Sequence, residues 1–152
     1  IANDGIMMKP YLVKALVNDE GDIIEEFQPE AGETIVSQRT ARQVTSILKA
    51  VVEKGGTGEN ASLQGFAIAG KTGTAQMPTA FGYDVEKTIG SFVGFAPVDD
   101  PQVIVLVRLD EPTSSSWGAE TAAPAFARMA ERLFRLLEIP PDQVRVEMAQ
   151  AH

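Results

Sequence analysis

The sequence predicts an α+β fold, an antiparallel sheet with helices packed on its faces. Three observations carry that expectation. Apolar runs entering Lys71, over 89–96 and over 103–107 follow one another through loops alone. Parallel neighbours would need a crossover of about a dozen residues, usually a helix, so these strands are expected to be antiparallel. Two other segments, 38–54 and 121–137, repeat their apolar residues at helical spacing and each present one apolar face. Clusters of Gly, Pro, Asn and Asp separate the segments and mark where the chain turns.

In chain order, Ile1-Ala2-Asn3-Asp4-Gly5 reads as the tail of a helix closing on a left-handed Gly5, which suggests that the domain begins upstream. Residues 11–17 and 23–27 read as a hairpin around the turn 18–22, and 29–34 as a loop. Ser37 is the expected N-cap of helix 38–54, whose buried stripe is Ala41, Val44, Ile47, Leu48, Val51 and Val52. Gly55-Gly56 ends it. After the Lys71 strand, Pro78 and Gly82 predict a long loop over 77–87. The strand 89–96 sets Phe92 and Phe95 on opposite faces, and the continuous apolar run 103–107 predicts a sheet centre covered on both faces. The last helix tolerates Pro124 in its first turn and buries Ala123, Phe126, Ala130, Leu133, Phe134 and Leu137. Residues 1–138 are thus expected to form one domain portion and 139–152 a peripheral tail.

Composition narrows the function. At 152 residues with 44% hydrophobic and 22% charged, the chain can bury a core and has no disorder signature. Its net charge of -8, with no Lys/Arg block, argues against nucleic acid and against a polybasic membrane patch. Cysteine is absent and His152 is the single histidine, which removes thiolate chemistry, a Ser-His-Asp triad and a His-rich metal site. No cofactor is expected. No apolar run approaches the roughly 20 residues of a membrane span.

The chemistry gathers in Ala67-Ile68-Ala69-Gly70-Lys71-Thr72-Gly73-Thr74-Ala75-Gln76. In an extended strand, Thr72 and Thr74 share one face, and Lys71 and Gly73 the other. One cation, two hydroxyls and open backbone N–H groups in so little chain suit a carboxylate or an oxyanion; the plainer reading is an edge strand with a solvated lysine. Gly65 to Thr72 also matches the phosphate-loop pattern G-x-x-x-x-G-K-[ST] by letters. That loop needs a helix immediately after it, and Gly73 and Pro78 make a poor helix start.

Beyond Lys71-Thr72-Gly73, the chain resembles the class B penicillin-binding proteins, the transpeptidases that cross-link peptidoglycan. The resemblance rests on Ile1-Ala2-Asn3-Asp4-Gly5 with Pro10, Gly56-Thr57-Gly58, Gly70 to Gln76, Ser91-Phe92-Val93-Gly94-Phe95-Ala96-Pro97, and Ala122-Ala123-Pro124-Ala125-Phe126. Ser115-Ser116-Trp117 ahead of Gly118 departs from the family's loop. The family's S-x-x-K nucleophile and S-x-N motifs lie upstream of Lys-Thr-Gly. Here Ser46-Ile47-Leu48-Lys49 matches S-x-x-K by letters, but it stands in the preceding helix with no S-x-N after it, and is read as a coincidence.

The resemblance therefore implies the C-terminal portion of a transpeptidase domain of the serine β-lactamase-like fold, inactive alone. The parent's serine would attack the penultimate D-alanine carbonyl of a stem peptide, release the terminal D-alanine and pass the acyl group to an amine. β-Lactam antibiotics would acylate the same serine. Lys71, held over Gly73, would assist proton movement; Thr72 and Thr74 would bind the ligand carboxylate; the Thr74 N–H would be half of the oxyanion hole; Gln76 would touch the substrate backbone or serve the fold. Phe81, Tyr83 and Trp117 are read as loop anchors ahead of a role in shaping the acceptor side. The partners implied are the peptidoglycan stem peptide, β-lactams and the upstream half of the domain, outside a bacterial cell membrane and anchored through that upstream part. A non-catalytic penicillin-binding sensor or scaffold is the alternative, and a P-loop NTPase a remote one.

Overall fold

The computed structural model describes residues 1–151, apart from the side chain of Val85; His152 lies outside the described residues. The chain divides into two units, 1–43 and 44–152.

In the first unit, the polar turn Asn18-Asp19-Glu20-Gly21-Asp22 closes the expected hairpin. Asp22 donates its N–H to Asn18 Oδ1 at 2.7 Å, and Gly21 takes a φ of 90°. The paired strands are β2 (Ala15–Val17) and β3 (Ile23–Glu26). A second antiparallel pair joins β1 (Ile6–Lys9) to β4 (Glu30–Thr34), in the stretch expected to be a loop. Glu-Ala-Gly-Glu-Thr has no apolar alternation to announce a strand. Its pairing comes from β1, with Lys9 and Glu30 joined at 2.9 Å. Gly5 is left-handed as expected, at φ 90°, but residues 2–5 form a turn rather than a helix tail. Asp4 accepts hydrogen bonds from Gln38 and Arg42.

The helix α1 (Gln38–Val52) runs out of the first unit and into the second. Val52 is buried and Val44, Leu48 and Val51 are half-buried. Ile47, placed in the buried stripe by its spacing, is 65% exposed. A 3-10 turn over Glu59–Ala61 comes next.

The second unit is built on one three-stranded antiparallel sheet in chain order: β5 (Ala69–Thr79), β6 (Gly82–Ala96) and β7 (Val103–Asp110). The helix α2 (Ala122–Leu136) packs on β6, β7 and the 3-10 turn. The core joins Phe92 and Val107 of the sheet to Phe126, Ala130 and Phe134 of α2. The Phe92 and Phe126 rings lie 4.7 Å apart and tilted. Gly70 permits this packing, because a Cβ there would stand 2.5 Å from the Phe92 ring.

Two expectations for the sheet are corrected. The stretch 77–87 is the tip of a β-hairpin rather than a long loop, with Pro78 opposite Tyr83 and Thr79 opposite Gly82. Proline is tolerated in a strand whose outer edge is unpaired, and β5 is such a strand. The run 103–107 lies at the other edge of this sheet, not its centre. Val103, Val105, Val107 and Leu109 turn toward the core, while Ile104 and Leu106 are 66% and 65% exposed. Together with Val93 opposite Leu106, they form an open apolar face.

After Pro140-Pro141, α3 (Asp142–Gln150) sits against the entry to β5. Asp142 accepts the Ala67 N–H at 2.7 Å and donates its own N–H to the Gly65 carbonyl at 2.9 Å. Arg145 pairs with Asp99 in the turn between β6 and β7.

These packings set two expected outcomes. Phe126→Ala removes a ring that is 1% exposed, and should cost about 3–5 kcal/mol in chemical denaturation. In the first unit, the bonds from Arg42 and then Gln38 hold the Asp4 carboxyl below its ordinary value. A lowered folded-state value stabilises above the ordinary carboxylate range and is lost as pH falls through the lowered one. Arg42→Ala should therefore move the Asp4 titration upward, read from its carboxyl carbon by NMR.

Candidate active-site wall

The site is organised by what β5 does with its outer edge. Lys71 Nζ donates to the Thr72 carbonyl at 2.7 Å and lies 3.5 Å from Thr72 Oγ1. The lysine thus folds over the strand edge onto its own neighbour, and the Thr72 carbonyl must point away from β6. In an antiparallel ladder the N–H and C=O of one residue face the same way, and successive residues alternate. Lys71 and Gly73 face β6, opposite Val93 and Ser91. Thr72 and Thr74 consequently turn their N–H groups to the open edge.

The loop before α2 closes over this edge. Thr74 Oγ1 accepts the Gly118 N–H at 3.0 Å. Gly118 is buried, and a Cβ there would stand 2.3 Å from the Gly73 carbonyl oxygen and 2.6 Å from that of Ser91. Only glycine lets the loop lie so close to the strand. The Trp117 carbonyl then collects the N–H groups of Glu120 and Thr121, at 3.0 and 3.1 Å, and the Thr121 hydroxyl at 2.8 Å. Asn60 fixes the Ala119 carbonyl at 2.9 Å.

Between strand and loop lies a cavity of about 470 Å³, lined by Thr57, Lys71, Thr72, Thr74, Trp117, Ala119 and Glu120. Three of the residues singled out in the sequence, Lys71, Thr72 and Thr74, meet there. Gly73 sits behind them against Ser91 and Gly118. Gln76 is exposed beside Thr88 and is not part of the lining. Trp117 anchors its loop through its carbonyl, yet its side chain is 62% exposed and walls the cavity. Phe81 and Tyr83 stand exposed at the hairpin tip. Thr57 and Glu120 were not foreseen as lining residues. Their signals were faint: a threonine between two glycines, and an acid at the head of a helix.

Two letter-matches fail on their structural context. Lys49 pairs with Glu53 at 3.7 Å and lines a different cavity with Val52, Phe66 and Ile68. Gly65 to Thr72 runs into β5 with no helix after it, so the phosphate-loop pattern lacks its anion-binding helix terminus.

Comparison with known proteins gives one answer. The model of the penicillin binding protein transpeptidase domain matches residues 1–131. Penicillin-binding protein PbpB of Mycolicibacterium smegmatis is 35% identical over 150 residues, which cover 92% of this chain and 23% of that protein. A probable peptidoglycan D,D-transpeptidase, PenA of Neisseria meningitidis, is 36% identical over 132 residues, covering 84% of this chain and 23% of PenA. Penicillin binding protein 3 of Mycobacterium tuberculosis, solved with aztreonam, superposes with a TM-score of 0.79 at 35% identity, over 92% of this chain and 33% of its own. The chain thus spans about a quarter of the curated relatives it matches.

Gly118→Ala is the sharpest test of how the loop is seated. The added methyl meets backbone oxygens rather than flexible side chains, and should destabilise by about 1–3 kcal/mol in chemical denaturation.

Proposed function

The chain belongs to the penicillin-binding protein transpeptidase family, and from that premise we propose that it forms one wall of the acyl-transfer cleft of a peptidoglycan D,D-transpeptidase. The observation that carries the reading is the meeting of Lys71, Thr72 and Thr74 in one cavity at an open strand edge. Thr72 and Thr74 hydroxyls bind the carboxylate of the stem peptide or of a β-lactam. The outward Thr74 N–H is one oxyanion donor, and the nucleophile's own N–H is the other. Lys71 supplies positive charge and assists proton movement at the serine. Gly73 keeps the strand thin enough for Gly118 and for a ligand, and Gln76 extends the substrate-binding edge.

The serine comes from the remainder of the same domain, which is this chain's first partner. The open face of Val93, Ile104 and Leu106 is where that remainder packs. Register puts Lys71 on the same face as Val93, so a nucleophile seated there faces the lysine. In this reading residues 1–138 belong to the transpeptidase portion, and the segment after them is peripheral to the cleft. The reaction proceeds in two steps: the serine oxygen adds to the penultimate D-alanine carbonyl and expels the terminal D-alanine, then an amine takes the acyl group and frees the serine. The working place is the outer face of a bacterial cell membrane. No helix among the described residues is long and apolar enough to cross one; the proposed anchor lies in the upstream part of the protein.

Covalent labelling by a fluorescent penicillin tests this reading. The full-length protein should label, and the 152-residue chain alone should not. Lys71→Ala in the full-length protein should slow acylation by about 100-fold or more. Unchanged acylation would remove Lys71 from the reaction.

A further inference from the structure

One carboxylate in the cavity has no part in the acyl-transfer scheme. Glu120 lines the wall with Lys71, Thr72, Thr74 and Trp117, and is the only acid among the lining residues. The Lys71 amine is taken up by Thr72, at 2.7 Å from its carbonyl. Among the described residues, Glu120 uses its backbone N–H on the Trp117 carbonyl, and no partner is seen for its carboxylate. That backbone bond closes a tight turn, which puts an unpaired anion three residues from an indole that is 62% exposed. The cavity therefore has a cationic, hydroxyl-bearing strand on one side and an anionic, aromatic turn on the other.

An organic ammonium group suits the second side, through charge attraction to a carboxylate and cation–π contact with a tryptophan face. Taking the cleft assignment as its basis, we propose that Glu120, with the Trp117 ring, selects acyl donors that carry a free ammonium group as well as the carboxylate held by Thr72 and Thr74. The plainer role for Glu120 is an acid at the head of α2, where negative charge favours the helix dipole. Such a role changes stability but treats all ligands alike. Selection between ligands is what separates the two.

Ampicillin and benzylpenicillin make the comparison, because they differ by one ammonium group. The measurement is the ratio of their second-order acylation rate constants on the full-length protein. Glu120→Gln should lower the ampicillin-to-benzylpenicillin ratio at least threefold, and Glu120→Lys should lower it further, in line with a partly exposed charge contact. A ratio that moves less than threefold in both variants overturns the proposal and leaves Glu120 as a helix-terminal acid. Failure of benzylpenicillin to acylate the unsubstituted protein would instead overturn the cleft assignment, so the two failures are told apart.

Discussion

The register of β5 on β6 is the constraint on which the second unit depends. Thr72 lies opposite Phe92, and Gly73 opposite Ser91. That single choice sends Phe92 into the core against Phe126, and the same choice turns the N–H groups of Thr72 and Thr74 to the open edge. Because side chains alternate with a period of two, a slip of β5 by one residue would bring Lys71 opposite Phe92 and turn the lysine to the core face. It would also close the edge groups into the ladder. Core and cleft are therefore one decision, and the apolar contact of Phe92 enforces the geometry of the polar site.

The loop ahead of α2 transmits the same constraint outward. Gly118 touches the backbone of both β5 and β6, and the Trp117 carbonyl ties that glycine to the first turn of α2 through Thr121. The helix that buries Phe126 and Phe134 thus also sets where Trp117 and Glu120 stand. On the entry side, α3 holds the Ala67 N–H through Asp142, and Arg145 reaches Asp99 in the turn after β6. Backbone groups take part at both ends of the strand region, Ala67 at its entry and Gly118 at its exit. The exposed ion pairs elsewhere, such as Lys87 with Glu111, add little to this because water screens them.

Much of the architecture could be read from the chain because its physical causes are local. Helical apolar spacing marked α1 and α2, turn residues marked the first hairpin, and short connections required antiparallel strands. The elements that depart from the sequence expectation depend on a partner distant in sequence. The β4 strand exists because β1 pairs with it. The extended tip of the β5–β6 hairpin exists because Pro78 sits on an edge that asks nothing of its missing N–H. The run 103–107 looked central because Ile104 and Leu106 are apolar, yet in this sheet both are exposed.

The site divides along the same line. Sequence alone marked the Lys71 strand as the candidate site, since a lysine, two hydroxyls and thin glycines in alternation are legible residue by residue. It also determined that this strand is no phosphate loop, since Gly73 and Pro78 so soon after Thr72 make a poor start for a helix. Only the tertiary structure decided which edge of the strand stays open, and that Gln76 falls outside the cavity. It alone brought in Thr57 and Glu120 and set Trp117 in the lining beside them, all neighbours of Lys71 in space and not in the chain. The physical reason is that alternation fixes which face a side chain takes, whereas the partner that pairs an edge, or closes a cleft over it, is chosen by packing at long range.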